Sequence, residues 1–305
     1  MATTPTTEPG PPRRRRRVLL GGVALASAAL GVACGFDPDP DRGVDFAAPG
    51  PFTTGSATVQ SESGPPVEIL YPAADGGGTS EEPAVGAEPS GGGPFPLVVS
   101  TDASGDRVRR ELSHLASWGL VVAAPARQEA DDLADAIDVL TRATIERGGP
   151  LEGVIDTEQV ALRGRDVLGF AGNPQVDALV ITRPRAGAEA AGTGEAPLPP
   201  SVLLDVDGPE VADRVDPLYD RLDPPKQLVL VGASAPAADE QRVFDHVSVA
   251  HLRSVFGPDR EEAVDSLSTE ALEARFGEDL AEVRRERCTT STRGAGSPTP
   301  RVGPG

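Results

Sequence analysis

The stretch VALRGRDVLGF, residues 160–170, decides how the rest of the chain is interpreted. Its first residues are apolar and lack the alternation of a half-exposed strand, so they predict a strand that is buried on both faces. Gly164 and Gly169 bracket a tight turn with Asp166 at its centre. Pro174 follows closely, and because glycine weakens a helix and proline ends it, at most one or two helical turns fit after Asp166.

Short apolar runs and amphipathic segments alternate on both sides of this stretch. The apolar runs predict buried strands, and the amphipathic segments predict helices. Such alternation indicates an α/β fold with a mostly parallel sheet and helices on both of its faces. A hairpin precedes the alternation and brings the predicted sheet to eight strands. The predicted strands are 57–59, 67–70, 97–99, 120–123, 160–162, 176–181, 202–204 and 228–231, and the predicted helices are 107–118, 131–144, 210–222, 246–256 and 269–285.

The N-terminus has the order of features that is typical of an export signal. Five arginines at residues 13–17 precede an apolar run at residues 18–32, which is shorter than the roughly 20 residues that span a bilayer. The segment LGVACG resembles a bacterial lipobox, and this resemblance implies that Cys34 is the lipidated first residue after removal of residues 1–33. The alternative is a cleaved signal with an incidental cysteine. We expect a lipoprotein at the outer face of the cell membrane, or a secreted protein.

Composition divides the remainder of the chain into three parts. Residues 34–50 are rich in Asp, Pro and Gly and predict a flexible tether, and residues 51–288 form the α/β domain. Within that domain, residues 73–93 are rich in Gly, Glu and Ser and predict a disordered insertion. Residues 289–305 are rich in Ser, Thr, Pro and Gly and predict a disordered tail.

The charge balance argues against one class of partner. The chain carries 28 Lys and Arg against 47 Asp and Glu, a net charge of −19. Because such a surface repels phosphates, we expect no binding to nucleic acid. The chain has only three histidines and two cysteines, without a CxxC pair, which argues against zinc or redox sites, so we expect no cofactor. His114 is expected to be partly buried and His251 to have a packing role, whereas His246 is expected at the surface or at a helix end.

Several segments, in a shared order over some two hundred residues, carry a resemblance to a known family. They are GPFPLVVS at 93–100, LASWGLVV at 115–122, IDTEQVA at 155–161, GAS at 232–234 and SVAHLRSVF at 248–256. Together they resemble secreted actinobacterial polyester hydrolases, the cutinase-like branch of the α/β-hydrolases near dienelactone hydrolase. The resemblance implies an α/β-hydrolase fold with a shortened helix after the turn that would hold the nucleophile.

The resemblance also assigns the family's catalytic positions. In this family a serine in a Gly-x-Ser-x-Gly turn attacks an ester, a histidine takes its proton, and an acid orients the histidine. The serine position is occupied by Asp166 and the histidine position by Ala235. The acid position falls at Asp207, with Asp205 as the alternative. Serine and histidine are therefore both replaced.

The loop after the third family strand is a further departure. In the family this loop stabilises the negative charge that develops on the substrate, which requires hydrogen-bond donors. The positions in this chain are Asp102 and Ala103, and Asp102 brings a carboxylate instead.

Three functions remain open from the sequence. The preferred one is a non-catalytic member of the hydrolase fold that binds or scaffolds an unknown protein or small molecule outside the membrane. The second is a carboxylic ester hydrolase with a rearranged site, which needs a histidine beside a nucleophile such as Asp166 or Ser104. The third is an accessory protein that binds a cation or another ligand through Asp102, Asp166 and Asp207.

Overall fold

The computed structural model describes residues 43–61, 64–102, 105–125, 130–185 and 197–287. These residues form one sheet of ten strands together with six α-helices. The strands are β1 (Thr53–Val59), β2 (Val67–Ala73), β3 (Ala84–Val85), β4 (Phe95–Ser100), β5 (Val121–Pro125), β6 (Ile155–Gly164), β7 (Ala178–Thr182), β8 (Ser201–Val206), β9 (Lys226–Val231) and β10 (Leu280–Glu286). The helices are α1 (Asp106–Ser117), α2 (Ala130–Ile145), α3 (Val211–Arg221), α4 (Ala237–Phe256), α5 (Arg260–Ser266) and α6 (Thr269–Phe276).

The sheet is mixed but mostly parallel, in the order β10-β9-β8-β7-β6-β4-β5-β2-β1-β3. The six strands from β5 to β9 in this order run parallel to one another. The pair β1–β2 lies antiparallel beside β5, and β10 lies antiparallel beside β9. The predicted α/β class with a mostly parallel sheet is thus confirmed. The sheet has ten strands rather than eight because β3 and β10 each add one at an edge.

The direction in which the chain adds strands reverses between β4 and β6. From β4 the chain passes through α1 to β5 on one side, and then through α2 to β6 on the other side of β4. In the β4–β6 ladder, Val98 pairs with Ala161 and Ser100 with Arg163. In open α/β sheets, ligands bind beyond the carboxyl ends of the strands at such a reversal. A ligand-binding site is therefore expected at this edge of the sheet.

The core covers both faces of the central strands. On one face, β-strand residues such as Leu97 and Leu162 pack with apolar side chains of α2 and α3. On the other face, Val98 and Ala161 pack with apolar side chains of α1, α4 and α6. The unbroken apolar runs of the sequence arise from this double burial.

Residues 43–50 pack against the domain, although their composition predicts a flexible tether. The Phe46 ring is fully buried and lies 4.9 Å from the Trp118 ring, centroid to centroid. The Trp118 indole N–H donates to the Ala48 carbonyl at 3.0 Å, and the Gly50 amide donates to the Ser117 hydroxyl at 2.9 Å. One buried aromatic residue thus fixes a segment that is otherwise rich in loop-forming residues. The rest of the predicted tether, residues 34–42, lies outside the described residues.

The predicted insertion at residues 73–93 also differs from the prediction, because its backbone pairs with the β1 edge. β3 runs parallel to β1, and the Gly78 amide donates to the Thr54 carbonyl at 2.8 Å. The Tyr71 hydroxyl donates to the Ala87 carbonyl at 2.7 Å. An edge strand presents unpaired backbone groups, and this segment satisfies part of them.

The predicted helix at residues 269–285 is wrong in its second half. Helix α6 ends at Phe276, and the chain then turns through Gly277, whose φ of 41° lies in the left-handed region that favours glycine. β10 follows and pairs with β9 along its length. Leu280 and Val283 continue the helical spacing of the apolar residues in α6. Their backbone N–H and C=O groups nevertheless form hydrogen bonds with the open edge of β9 rather than within a helix.

Several other predictions fall on residues outside the described part of the chain. They are the export signal at residues 1–33, the lipidation site Cys34, the loop residues Ala103 and Ser104, and the tail at residues 289–305. Within the described ranges, none of the helices combines the length and the apolar character that a bilayer crossing requires.

Candidate functional site

A cavity of about 270 Å³ lies where the chain reverses, beyond the carboxyl ends of β4, β6 and β7. The segments that follow these three strands form its floor, and the first two turns of α1 form a wall. Most of its lining side chains are charged. They are Thr101, Asp102, Arg107, Val108, Glu111, Arg165, Arg183 and Arg185.

Arg163 lies beneath the cavity and forms ion pairs with two of its carboxylates. It occupies the end of β6, and its side chain is only 2% exposed. One terminal nitrogen donates to Asp102 Oδ2 at 2.8 Å, and the other donates to Glu111 Oε2. Thr182 donates a further hydrogen bond of 3.3 Å to Asp102 Oδ2. A buried guanidinium is stable only when it is paired in this way, so the three charges form one unit.

A second group of ion pairs joins α1, β7 and α4 at the side of the cavity. Arg107 contacts Glu111 Oε1 at 3.1 Å and Glu240 Oε1 at 2.7 Å. Arg183 donates to the same Glu240 oxygen at 2.5 Å, and its guanidinium lies 4.3 Å from the centroid of the Phe244 ring. The ring and the shared carboxylate together hold the Arg183 guanidinium in one position.

The outer arginines of the cavity are less constrained. Arg185 Nη1 lies 3.4 Å from Asp166 Oδ2, and this pair is weak because its side chains are 65% and 38% exposed. Arg165 is exposed and makes no ion pair with any described residue. The outer part of the cavity therefore has guanidinium groups whose donors are available.

Burial and charge shift the pKa values of two carboxyl groups near Arg163 in opposite directions. Burial by itself would raise the pKa of Glu111, but the positive charges of Arg163 and Arg183 and the hydrogen bonds from Arg163 and Arg107 lower it overall. Burial raises the pKa of Asp245 on α4 to about 7, and repulsion from Glu111 adds to this effect. A hydrogen bond from Gln241 to Asp245, at 2.8 Å, opposes it. Glu111 is thus ionised at neutral pH, whereas Asp245 titrates there.

The structure does not bring the three positions of the predicted triad together at this cavity. Asp166 is exposed on the turn after β6, and only a four-residue 3-10 helix, Val167–Phe170, follows it. Asp207 is exposed after β8, where its carboxylate accepts a hydrogen bond from the Gly208 amide at 2.9 Å. Ala235 packs against the core beside α4 and does not line the cavity. Of the positions assigned by resemblance and described by the structure, Asp102 alone lines it.

The alternative acid Asp205 has a structural partner. It is 3% exposed, and Arg214 of α3 contacts its Oδ2 at 2.7 Å. Nor do the three aspartates of the predicted cation site converge. Within the described part of the chain, no group of three His, Cys, Asp or Glu side chains is placed as metal ligands would be.

All three histidines of the chain lie elsewhere. His114 Nε2 is 2.8 Å from the Phe46 carbonyl oxygen, and His246 is fully buried between the rings of Phe46 and Phe276. His251 lines a different cavity, near the start of β8 and β9. Burial lowers the pKa of each imidazole, and that of His251 falls to about 4. The histidines are neutral packing residues rather than parts of the cavity. The expectation that His246 lies at the surface or at a helix end is wrong, because it lies in the middle of α4 and its side chain packs into the core.

Apart from Asp102, the charged residues that build the cavity were missed in the sequence, although two of them carry a recognisable signal. Arg163 interrupts an apolar strand, and Glu111 stands beside Leu112 on the apolar side of α1. A charge that is buried in the core needs a buried partner of opposite sign, so two such residues suggest an ion pair. Arg107, Arg165, Arg183 and Arg185 carry no comparable signal, because arginine is common on surfaces.

The comparisons with known proteins add no relationship to this geometry. No protein-family model matches the chain. No curated protein is significantly similar to it either.

Proposed function

We propose that this chain is an exported, lipid-anchored protein whose α/β-hydrolase-like domain binds a ligand without hydrolysing it. The antiparallel pair β1–β2 ahead of six parallel strands supports the hydrolase-like part, since the family has eight strands with a hairpin first. The export signal and the lipobox-like segment around Cys34 support a location at the outer face of the membrane. The acidic composition supports a protein or small-molecule ligand rather than a nucleic acid.

One observation carries the non-catalytic part of the proposal. The cavity at the reversal of the sheet is lined by arginines and carboxylates, and no histidine of the chain lines it. An attacking hydroxyl needs a base within about 3 Å. Among the residues that line the cavity, only Thr101 carries a hydroxyl, and this group donates a weak hydrogen bond of 3.4 Å to the Arg163 carbonyl instead. The cavity is better suited to binding than to acyl transfer.

The test is an esterase assay with short-chain nitrophenyl esters. We expect the protein to show no turnover above that of the Asp166→Ala variant, because neither has a nucleophile that is activated by a base. Thermal unfolding of both proteins checks that the variant is folded. Turnover that depends on Asp166 would contradict the proposal and would favour the carboxylic ester hydrolase.

A further inference from the structure

We propose that the cavity beyond β4, β6 and β7 binds a small anion through Arg165, Arg183 and Arg185. The anion carries carboxylate or phosphate groups, both of which match the planar fork of an arginine side chain. This inference rests on the proposed binding function and names the chemistry of the ligand.

The local charge differs from that of the molecule as a whole. The chain has a net charge of −19, yet the side chains that line the cavity include four guanidinium groups and only two carboxylates. This excess is concentrated within a single depression of the surface, where clefts focus an electrostatic field. The guanidinium groups belong to Arg107, Arg165, Arg183 and Arg185, and the carboxylates belong to Asp102 and Glu111.

The carboxylates nearest the centre already have partners. Asp102 and Glu111 both accept hydrogen bonds from Arg163, which lies beneath the cavity. Arg163 together with Arg107, which contacts Glu111 Oε1 at 3.1 Å, offsets the two negative charges that would otherwise repel an anion. The arginines of the outer part then determine the charge that a ligand meets.

The outer arginines keep donors for a ligand. A guanidinium has five N–H groups. Arg183 uses one terminal nitrogen on Glu240, and Arg185 has a single exposed contact of 3.4 Å with Asp166. Arg165 makes no ion pair with any residue that the structure describes. An anion between these side chains can therefore accept several charge-assisted hydrogen bonds without breaking the buried unit around Arg163.

The backbone at Arg183 is an independent observation. Its φ is 45°, and within the described ranges it is the only residue other than glycine with a positive φ. The Arg183 amide donates to the Leu204 carbonyl at 2.8 Å, and the Phe244 ring supports its guanidinium. Strained backbone persists where the surroundings fix it, and it is concentrated at ligand sites. The Arg183 side chain is therefore held in place before a ligand arrives.

The cavity size limits the ligand. Its volume of about 270 Å³ is near the lower end of the range for small-molecule sites, about 300 Å³. Such a volume accommodates a short dicarboxylate or a phosphate group, whereas a folded protein partner could insert only a chain end.

The experiment is isothermal titration calorimetry of the full chain with succinate and with inorganic phosphate, at low and at physiological ionic strength. We expect at least one of these anions to bind saturably at a single site. Binding should be weaker at the higher ionic strength, because salt screens exposed charges. Succinamide, a molecule of similar size without charge, should not bind. Arg165→Gln and Arg185→Gln should each raise the Kd about tenfold, since each removes charge-assisted hydrogen bonds.

Arg147→Gln is the matched control, because Arg147 is an exposed arginine beyond the end of α2 and remote in sequence from the cavity segments. It should leave the Kd unchanged. Binding of succinate alone identifies a carboxylate ligand, and binding of phosphate alone identifies a phosphate ligand; either supports the proposal. Absence of saturable binding by both anions at millimolar concentration would overturn it, as would binding that both cavity variants leave unchanged. Neither result affects the esterase assay, so the two proposals can fail separately.

Discussion

Arg163 places a positive charge within the central sheet, and two buried carboxylates surround it. Removing such charges from water costs several kcal/mol for each ion, and their mutual attraction offsets this cost only when the geometry is good. The three groups therefore depend on one another, and the unit as a whole adds little net stability. Their arrangement specifies how α1 and the loop after β4 lie against β6.

Replacement of Arg163 should show that this buried unit differs from surface ion pairs in its effect on stability. Arg163→Met leaves Asp102 without its ion-pair partner and Glu111 with Arg107 alone, so we expect the free energy of unfolding to fall by about 3–5 kcal/mol. Urea unfolding followed by circular dichroism measures the loss. The control is Arg109→Met, which removes the exposed 3.1 Å pair with Glu68 and should cost no more than about 1 kcal/mol. Equal, small losses for both variants would contradict the dependence described here.

At the scale of the secondary structure elements, residues 43–50 behave as part of the domain. Their attachment rests on the buried Phe46 ring, while the backbone contacts with Trp118 and Ser117 set the direction of the segment. Arg275 Nη1 of α6 contacts Asp45 at 2.8 Å and adds an ion pair at the rim. The segment thus joins α1 to α6 across the face of the sheet that α4 covers.

Phe46→Ala should test this attachment. We expect the free energy of unfolding to fall by about 3–5 kcal/mol, because the change removes a fully buried ring and leaves a cavity. The Val85→Ala control removes methyl groups from a side chain that is 85% exposed and should change the value by less than about 0.5 kcal/mol. Both are measured by chemical denaturation. A loss for Phe46→Ala as small as that of the control would show that residues 43–50 are not packed as described.

The elements differ in how well the sequence predicts them. The central strands are predictable because each is an apolar run that is buried on both faces. The second half of the predicted helix 269–285 is not, because Leu280 and Val283 keep a helical spacing while the edge of β9 offers their backbone a partner. Gly277, which follows α6, is the residue in the sequence that indicates the end of the helix.

At the scale of the whole molecule, the fold class can be predicted from the alternation of apolar runs and amphipathic segments. The cavity, in contrast, depends on ion pairs between segments that are distant in the sequence. Glu111 and Arg163 are 52 residues apart in the chain, and only the placement of α1 beside the end of β6 brings them together. Asp102, which follows a predicted strand, is the one position assigned from the sequence that lines the cavity. The sequence could not assign Arg183 or Arg185, because a surface arginine and a cavity arginine look the same in sequence.

The proposed anchor can be tested on the whole protein in its own cells. Cys34→Ser should move the protein from the membrane fraction to the soluble exported fraction, because the acyl chains would be absent. Cys288→Ser changes the other cysteine and should leave the distribution as it is. Cell fractionation and the intact mass of the mature protein measure the outcome. Identical distributions for the unmodified protein and the Cys34 variant would contradict lipid attachment.

The two ends of the sheet are closed to further strands in different ways. β3 has only two residues, and the outer strand β10 carries Glu282, Arg284, Arg285 and Glu286 along its short length. Very short edge strands and charged edges both disfavour the pairing of one sheet with another. Concentrated solutions of the protein should therefore resist the edge-to-edge association that leads to fibrils.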